Sequence, residues 1–324
     1  MSLQLHCAFL DFSEVAVVPN FAFVIAAFHS PLFAHPLPQG HRFPMDKYRL
    51  LPEQIRREGL IEPGGWFTPR PATDIELFRV HDKDYVERLR TGRLTPAEIR
   101  QSGFPYDFAL AEREVLLAGA TRDAALFALE HRSCAFNLAG GTHHAGRARP
   151  EGFCLLNDLA VAAAEVLASG AARSILIVDL DVHQGNGTAE IFEGSDQVRT
   201  FSMHGSRNFP LHKAQSTLDI GLEDGTPDEV YLELLGKALE ALFAQTVPDI
   251  VLYQAGVDVL ATDALGRLDL TPEGCALRDR KVFETCAHQG VPVAVTMGGG
   301  YSPRLADILD AHAQTYREAQ RIWG

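Results

Sequence analysis

The sequence predicts an α/β protein with a central, mostly parallel sheet covered by helices on both faces. Two observations carry this. Short unbroken apolar runs alternate with longer helical segments along most of the chain, which is the pattern of strands buried on both faces. Each run is bounded by Gly, Pro, Asp or Asn, and a helix signal precedes the next one.

In chain order, a first strand is expected at Phe21–Ala27, behind an N-terminal extension of residues 1–21. The Pro/Gly-rich stretches Ser30–Pro44 and Pro63–Pro71 read as ordered loops. Ala109–His131 is rich in Ala and Leu and predicts a long helix. Cys134–Leu138 is the next strand, and a helix follows over Asp158–Ser169, closed by Gly170. Ser174–Val178 and Val198–Met203 are further strands. Thr226-Pro227-Asp228-Glu229 reads as a capping box with Pro at the first helical position, opening a helix to about Gln245. Ile250–Gln254 and Val291–Met297 are strands, each followed by the cap-then-proline device, at Thr271-Pro272 and Ser302-Pro303.

Composition bounds the function. Over 324 residues the net charge is −13. That argues against a nucleic-acid partner, which would need a basic stripe. The five cysteines, Cys7, Cys134, Cys154, Cys275 and Cys286, form no C-x-x-C pair. They suggest neither a disulfide framework nor a structural zinc knuckle, but a reducing, cytoplasmic setting. The apolar stretch Val15–Phe28 is interrupted by Pro19 and Asn20 and is too short to span a membrane.

The chemistry collects after the strands, where open α/β sheets bind ligands. Those loops carry Gly140-Gly141-Thr142-His143-His144, Asp179 through Gly187, Ala255-Gly256-Val257-Asp258, and Gly298-Gly299-Gly300-Tyr301. Asp179, Asp181 and His183 share one face of an extended strand end. They are either polar groups satisfied by backbone or metal ligands, and the cost of leaving three such groups uncompensated favours metal. With Asp258, Asp181 and His183 would make a three-ligand, catalytic type of site. An imidazole of His143-His144 is a natural proton-transfer group at neutral pH, with Asp179 and Asn186 as the candidate tautomer partners. Tyr301 is either a packing tyrosine or a phenol that donates to a developing oxyanion.

These stretches, with Gly152-Phe153-Cys154 and Asn157-Asp158, resemble the zinc-dependent histone deacetylase family of the arginase/deacetylase fold. Five motifs stand in the family's order over roughly residues 22–320. The resemblance implies a three-layer α/β/α arrangement with about eight strands, in one domain over residues 22–324. Together with the proline-rich segment His35–Pro44, His183-Gln184-Gly185-Asn186-Gly187 looks like the bacterial and class IV branch. There Gln184 replaces a second His and Asn186 an Asp, so the partner of His144 is neutral and its imidazolium less stabilised.

By resemblance, Asp181, His183 and Asp258 hold Zn²⁺, with Fe²⁺ the alternative. His144 is the general base and then acid, and His143, oriented by Asp179, acts electrostatically. Tyr301 stabilises the oxyanion. Phe153 and Phe209, with Gly152, flank the acyl-lysine channel. Asp179, Ser202 and the backbone around Asp181, His183 and Met203 resemble a structural K⁺ site, and Arg42 an inner-channel residue. The implied reaction removes an acetyl or other acyl group from lysine in a protein or peptide. Small acylated amines such as acetylpolyamines are the alternative substrates, and a binder without catalysis is a remote second reading. A two-manganese ureohydrolase is disfavoured because it would leave Tyr301 without a role.

Overall fold

The computed structural model describes residues 25–324. Ten α-helices and eight strands are recorded among them. The first half comprises β1 (Ala26–Phe28), α1 (Lys47–Glu58), β2 (Trp66–Phe67), α2 (Asp74–Phe78), α3 (Lys83–Arg90), α4 (Pro96–Ser102), α5 (Phe108–His131), β3 (Cys134–Asn137) and α6 (Asp158–Ala168). Then follow β4 (Ile175–Asp179), α7 (Asn186–Ile191), β5 (Val198–Gly205), β6 (Leu218–Leu222), α8 (Asp228–Gln245), β7 (Ile250–Gln254), α9 (Pro272–His288), β8 (Val293–Thr296) and α10 (Leu305–Trp323).

The strands form one sheet in the order β2-β1-β3-β8-β7-β4-β5-β6, and every pairing is parallel. Its two faces are separate cores, because successive strand residues point to opposite sides. On one face Leu176 and Val178 pack with Leu235 and Leu239 of α8, Phe283 of α9 and Tyr316 of α10. On the other, Ile175 and Ile177 pack with Leu117 and Ala124 of α5 and Val161 and Val166 of α6. All strand carboxyl ends therefore open at the same edge, which gathers four loops from β3, β4, β7 and β8.

Several expectations need correction. The first strand is Ala26–Phe28, and the expected residues 21–24, with the extension 1–21, lie outside the described residues. Thr226 makes no capping box: its hydroxyl donates to Glu223 O (2.7 Å), and Pro227, extended, is itself the cap. The Asp228 carboxylate instead accepts from the Thr271 backbone and hydroxyl (2.9 and 2.6 Å). Thr271 does cap α9, accepting from Gly274 N at 3.0 Å. Ser302 does not cap α10. That helix starts at Leu305, and the Ser302 hydroxyl bonds Thr262 Oγ1 at 2.9 Å. The four described cysteines are free and buried. Among the described residues, no helix is long and apolar enough to cross a membrane.

One buried ion pair braces the loop edge. Arg278 and Asp279 are fully buried on α9. Arg278 donates to Leu180 O (3.2 Å) and to Gly256 O, tying together the loops after β4 and β7. Asp279 also accepts from Tyr253 Oη and from Thr315 Oγ1 (2.7 Å). Arg278→Ala should leave Asp279 buried without its cation and reduce unfolding stability by about 3–5 kcal/mol. Urea denaturation checks this, and a loss under about 1 kcal/mol would show that the pair is not holding these loops.

Candidate active site

Strand β4 ends at Asp179, so Asp181 and His183 sit in the loop beyond it and not on the strand itself. Asp258 follows β7. One donor atom from each of Asp181, His183 and Asp258 converges within 4.8 Å, and all three residues are buried. His183 Nδ1 lies 3.0 Å from Asp181 Oδ1 and 3.1 Å from Asp258 Oδ2. A single ring nitrogen facing two carboxylate oxygens is a donor set suited to a small divalent cation.

The outer oxygens are held by backbone. Gly299 N donates to Asp181 Oδ2 (2.8 Å), and Val182 N donates to Asp258 Oδ1 (2.9 Å). This is the supporting shell that orients metal-binding carboxylates. The approach is close enough to require glycine. A Cβ at Gly299 would fall 1.9 Å from Asp258 Oδ2, and one at Gly256 would fall 2.3 Å from Asp181 Oδ2.

His143 and His144 lie beside this cluster, their rings 4.1 Å apart. Asp179 Oδ2 is 2.7 Å from His143 Nδ1. Burial disfavours the charged form of His143, but the Asp179 and Asp181 carboxylates override it and lift the ring to about 9. His144 is the reverse: burial, then the neighbouring His143 and His183, push it well below its ordinary value. Its Nδ1 is 2.7 Å from Asn186 Oδ1, and Asn186 Nδ2 donates to Glu151 Oε2 at 2.8 Å. A carboxylate only accepts, so the amide nitrogen of Asn186 must face Glu151 and its oxygen must face His144. The ring proton then sits on His144 Nδ1, which leaves Nε2 free to accept.

Tyr301 completes the group, with its ring 6.4 Å from that of His183. Asp263 accepts from its backbone nitrogen (2.6 Å) and fixes the turn after β8. Burial, with the Asp258 and Asp181 carboxylates nearby, pushes the phenol well above its usual range, so it stays a donor. Phe153 and Phe209 wall a cavity of about 530 Å³ that reaches His144, His183 and Tyr301. Phe209 stands edge-on to His144 at 4.9 Å. Gly152 and Phe153 both have positive φ, held by hydrogen bonds to Gln101 O (3.2 Å) and Ser102 O (2.8 Å) at the end of α4. The β4–β5 pairing sets Ser202 beside Asp179, with Met203 next along the strand.

The family model described as the histone deacetylase domain matches residues 41–316. The chain belongs to the histone deacetylase family. An uncharacterized protein of Picosynechococcus is 43% identical over 295 residues, spanning 91% of this chain and 98% of that one. Histone deacetylase 2 of Arabidopsis thaliana is 30% identical over 281 residues, spanning 83% of this chain and 72% of that one. Among solved structures, an HDAC homolog complexed with SAHA has a TM-score of 0.80 at 28% identity, over 92% of this chain and 84% of that one. An HDAC homolog from Aquifex aeolicus has a TM-score of 0.79 at 26% identity, with the same coverage. The sheet described above is thus the arginase/deacetylase fold of the histone deacetylases, and this chain is a deacetylase-type hydrolase of a family that is typically zinc-dependent.

Within this histone deacetylase fold, Arg42 does not reach an inner channel. It lies at the outer mouth, 5.2 Å over the Phe153 ring, because the loop before α1 runs across the entrance. A small inner cavity of about 30 Å³ is lined instead by Arg113, Tyr48, Leu117, Thr142, Cys154 and Tyr301. Arg113 is buried and donates to Phe33 O at 2.7 Å. The sequence reading also passed over Lys47 and Glu151. Lys47 is fully buried and donates to Gly298 O (2.8 Å), next to the Tyr301 turn. Burial lowers its ammonium to about 8, against the pull of Asp258, Asp181 and Asp263. Its 47-51-55 spacing with Leu51 and Ile55 places it on the buried stripe of α1, a signal present in the sequence. Gln184 is pinned to Ala214 (2.9 and 2.8 Å) and Asp219 (2.8 Å), so it supports the loop before β6.

Proposed function

We propose that the protein hydrolyses the side-chain amide of acetyl-lysine, releasing acetate and the free amine, within a single domain over residues 22–324. The observation that carries the reading is the convergence of Asp181, His183 and Asp258 beside an His144 whose Nε2 is left open. Those three residues would hold the divalent ion, Zn²⁺ by family habit or Fe²⁺. A bound divalent ion supplies Lewis acidity, polarising a carbonyl and making a nearby water more acidic.

The chain's own groups do the rest. His144 Nε2 takes the proton of the attacking water and returns it to the leaving amine. His143, kept cationic by Asp179, stabilises the negative charge that develops close by. Tyr301 donates its phenol hydrogen to the carbonyl oxygen. Phe153 and Phe209 cover the uncharged stem of the acylated lysine and exclude water from it. Asp179, Ser202 and the backbone around Asp181, His183 and Met203 would hold a structural K⁺, a role that the strand pairing of Asp179 with Ser202 supports. The cysteine usage fits a cytoplasmic protein.

The inner cavity of about 30 Å³ has room for about one or two water-sized groups, which suits acetyl better than a long acyl chain. Metal-loaded protein should therefore turn over acetyl-lysine peptides with kcat/KM about tenfold or more above octanoyl-lysine peptides, the order expected for a few misfitted methylenes. Preference for the longer chain would overturn the acetyl assignment, and inertness toward every acyl-lysine would overturn the reaction.

A further inference from the structure

We propose that the mouth of this site selects acyl-lysines flanked by acidic residues, so that its substrates are acidic protein or peptide segments. The inference rests on the deacetylase reading above. Four exposed arginines line the mouth: Arg42, Arg100, Arg207 and Arg267. They come from four separate places, the loop before α1, helix α4, the turn after β5, and the loop between β7 and α9.

Little among the described residues neutralises them. Arg207 and Arg267 share one acid, Asp224, at 3.6 and 3.2 Å. Arg42 rests on the Phe153 ring, and neither it nor Arg100 has an ion pair among the described residues. The acid on the wall, Glu151, is engaged by Asn186 and by Arg149 (3.6 Å). The mouth is thus cationic on a chain of net charge −13, a local reversal of sign that steers anionic partners toward this opening.

The acylated lysine itself is neutral, so it feels none of this field. The residues on either side of it do, since they remain outside the channel beside the arginines. Carboxylates there meet the guanidiniums of Arg42 and Arg100, which have no ion pair among the described residues and can bind a carboxylate bidentately. Lys- and Arg-rich segments, and acetylpolyamines with their remaining ammonium groups, meet like charge.

The test uses the metal-loaded full chain and three acetyl-lysine peptides of equal length, with Asp/Glu, Gly/Ala or Lys/Arg flanks, together with N-acetylputrescine. The acidic peptide should exceed the basic one by about tenfold or more in kcat/KM at low salt, with N-acetylputrescine poorest. The gap should narrow as salt shortens the screening length. The double variant Arg100→Glu, Arg207→Glu should collapse or invert the acidic-to-basic ratio. Turnover of all three peptides at equal rates, a preference for basic flanks, or a ratio untouched by the double variant would overturn the selectivity alone. Failure to turn over even the neutral peptide would overturn the deacetylase reading, and the selectivity with it.

Discussion

Replacing Asp258 with Ala should remove the divalent ion and abolish turnover. The carboxylate is fully buried, with Oδ2 aimed at the shared centre 3.1 Å from His183 Nδ1. Loss of a supporting contact around a metal ligand already costs about 10–100-fold in metal affinity, so loss of a direct ligand should cost more. Asp181→Ala should behave alike, since Asp181 Oδ1 is the third convergent donor. Metal analysis of the purified variants should find well under one equivalent, with no acetyl-lysine peptide turnover. One equivalent retained in either variant would mean that the three residues are not the ligand set. Asp258→Asn is the companion, because it keeps the volume and can still accept from Val182 N (2.9 Å). Circular dichroism of this variant separates metal loss from misfolding.

Much of this site was legible because parallel strands impose a simple rule. When β3, β4, β7 and β8 all run the same way, whatever follows each of them lands at one edge. Reading the loops after apolar runs therefore gathered His143, His144, Asp179, Asp181, His183, Asp258 and Tyr301 without any geometry. The central strands were legible for a related reason: burial on both faces leaves continuous Val, Ile and Leu runs. The edges were not. Leu218–Leu222 includes Asp219 and Gly221 and is buried only at its end, and Trp66–Phe67 is two residues long, so neither rises above its surroundings.

What stayed hidden depends on contacts between distant segments. Thr226-Pro227-Asp228-Glu229 satisfies a local capping pattern, yet Asp228 is captured by Thr271 across 43 positions. Arg42 was expected at the inner channel, yet Arg113 of α5 lines the inner cavity and Arg42 the outer mouth, a placement set by contacts between segments far apart in sequence. Glu151 acts on His144 only through Asn186, a relay that no spacing encodes. The four mouth arginines are scattered from position 42 to position 267, and an overall charge of −13 conceals their convergence.

Tyr301→Phe should lower kcat by about a hundredfold or more while leaving the metal content and the fold intact, the magnitude typical of losing one oxyanion donor. The substitution is narrow. Tyr301 is placed by its backbone, through the 2.6 Å bond to Asp263, and by ring contacts with Phe43 and Phe153 at 6.1 and 6.0 Å. Phenylalanine keeps all of these and removes only the hydroxyl. Substrate binding should change little, because the lysine stem is covered by Phe153 and Phe209 and the hydroxyl is needed only as the carbonyl oxygen gains charge. The loss should therefore fall on kcat, with KM nearly unchanged, as for an interaction made in the transition state. Unchanged turnover would reduce Tyr301 to a packing residue. The buried Lys47, which stands 5.9 Å from the Tyr301 ring and donates to Gly298 O, would then be the next group to replace.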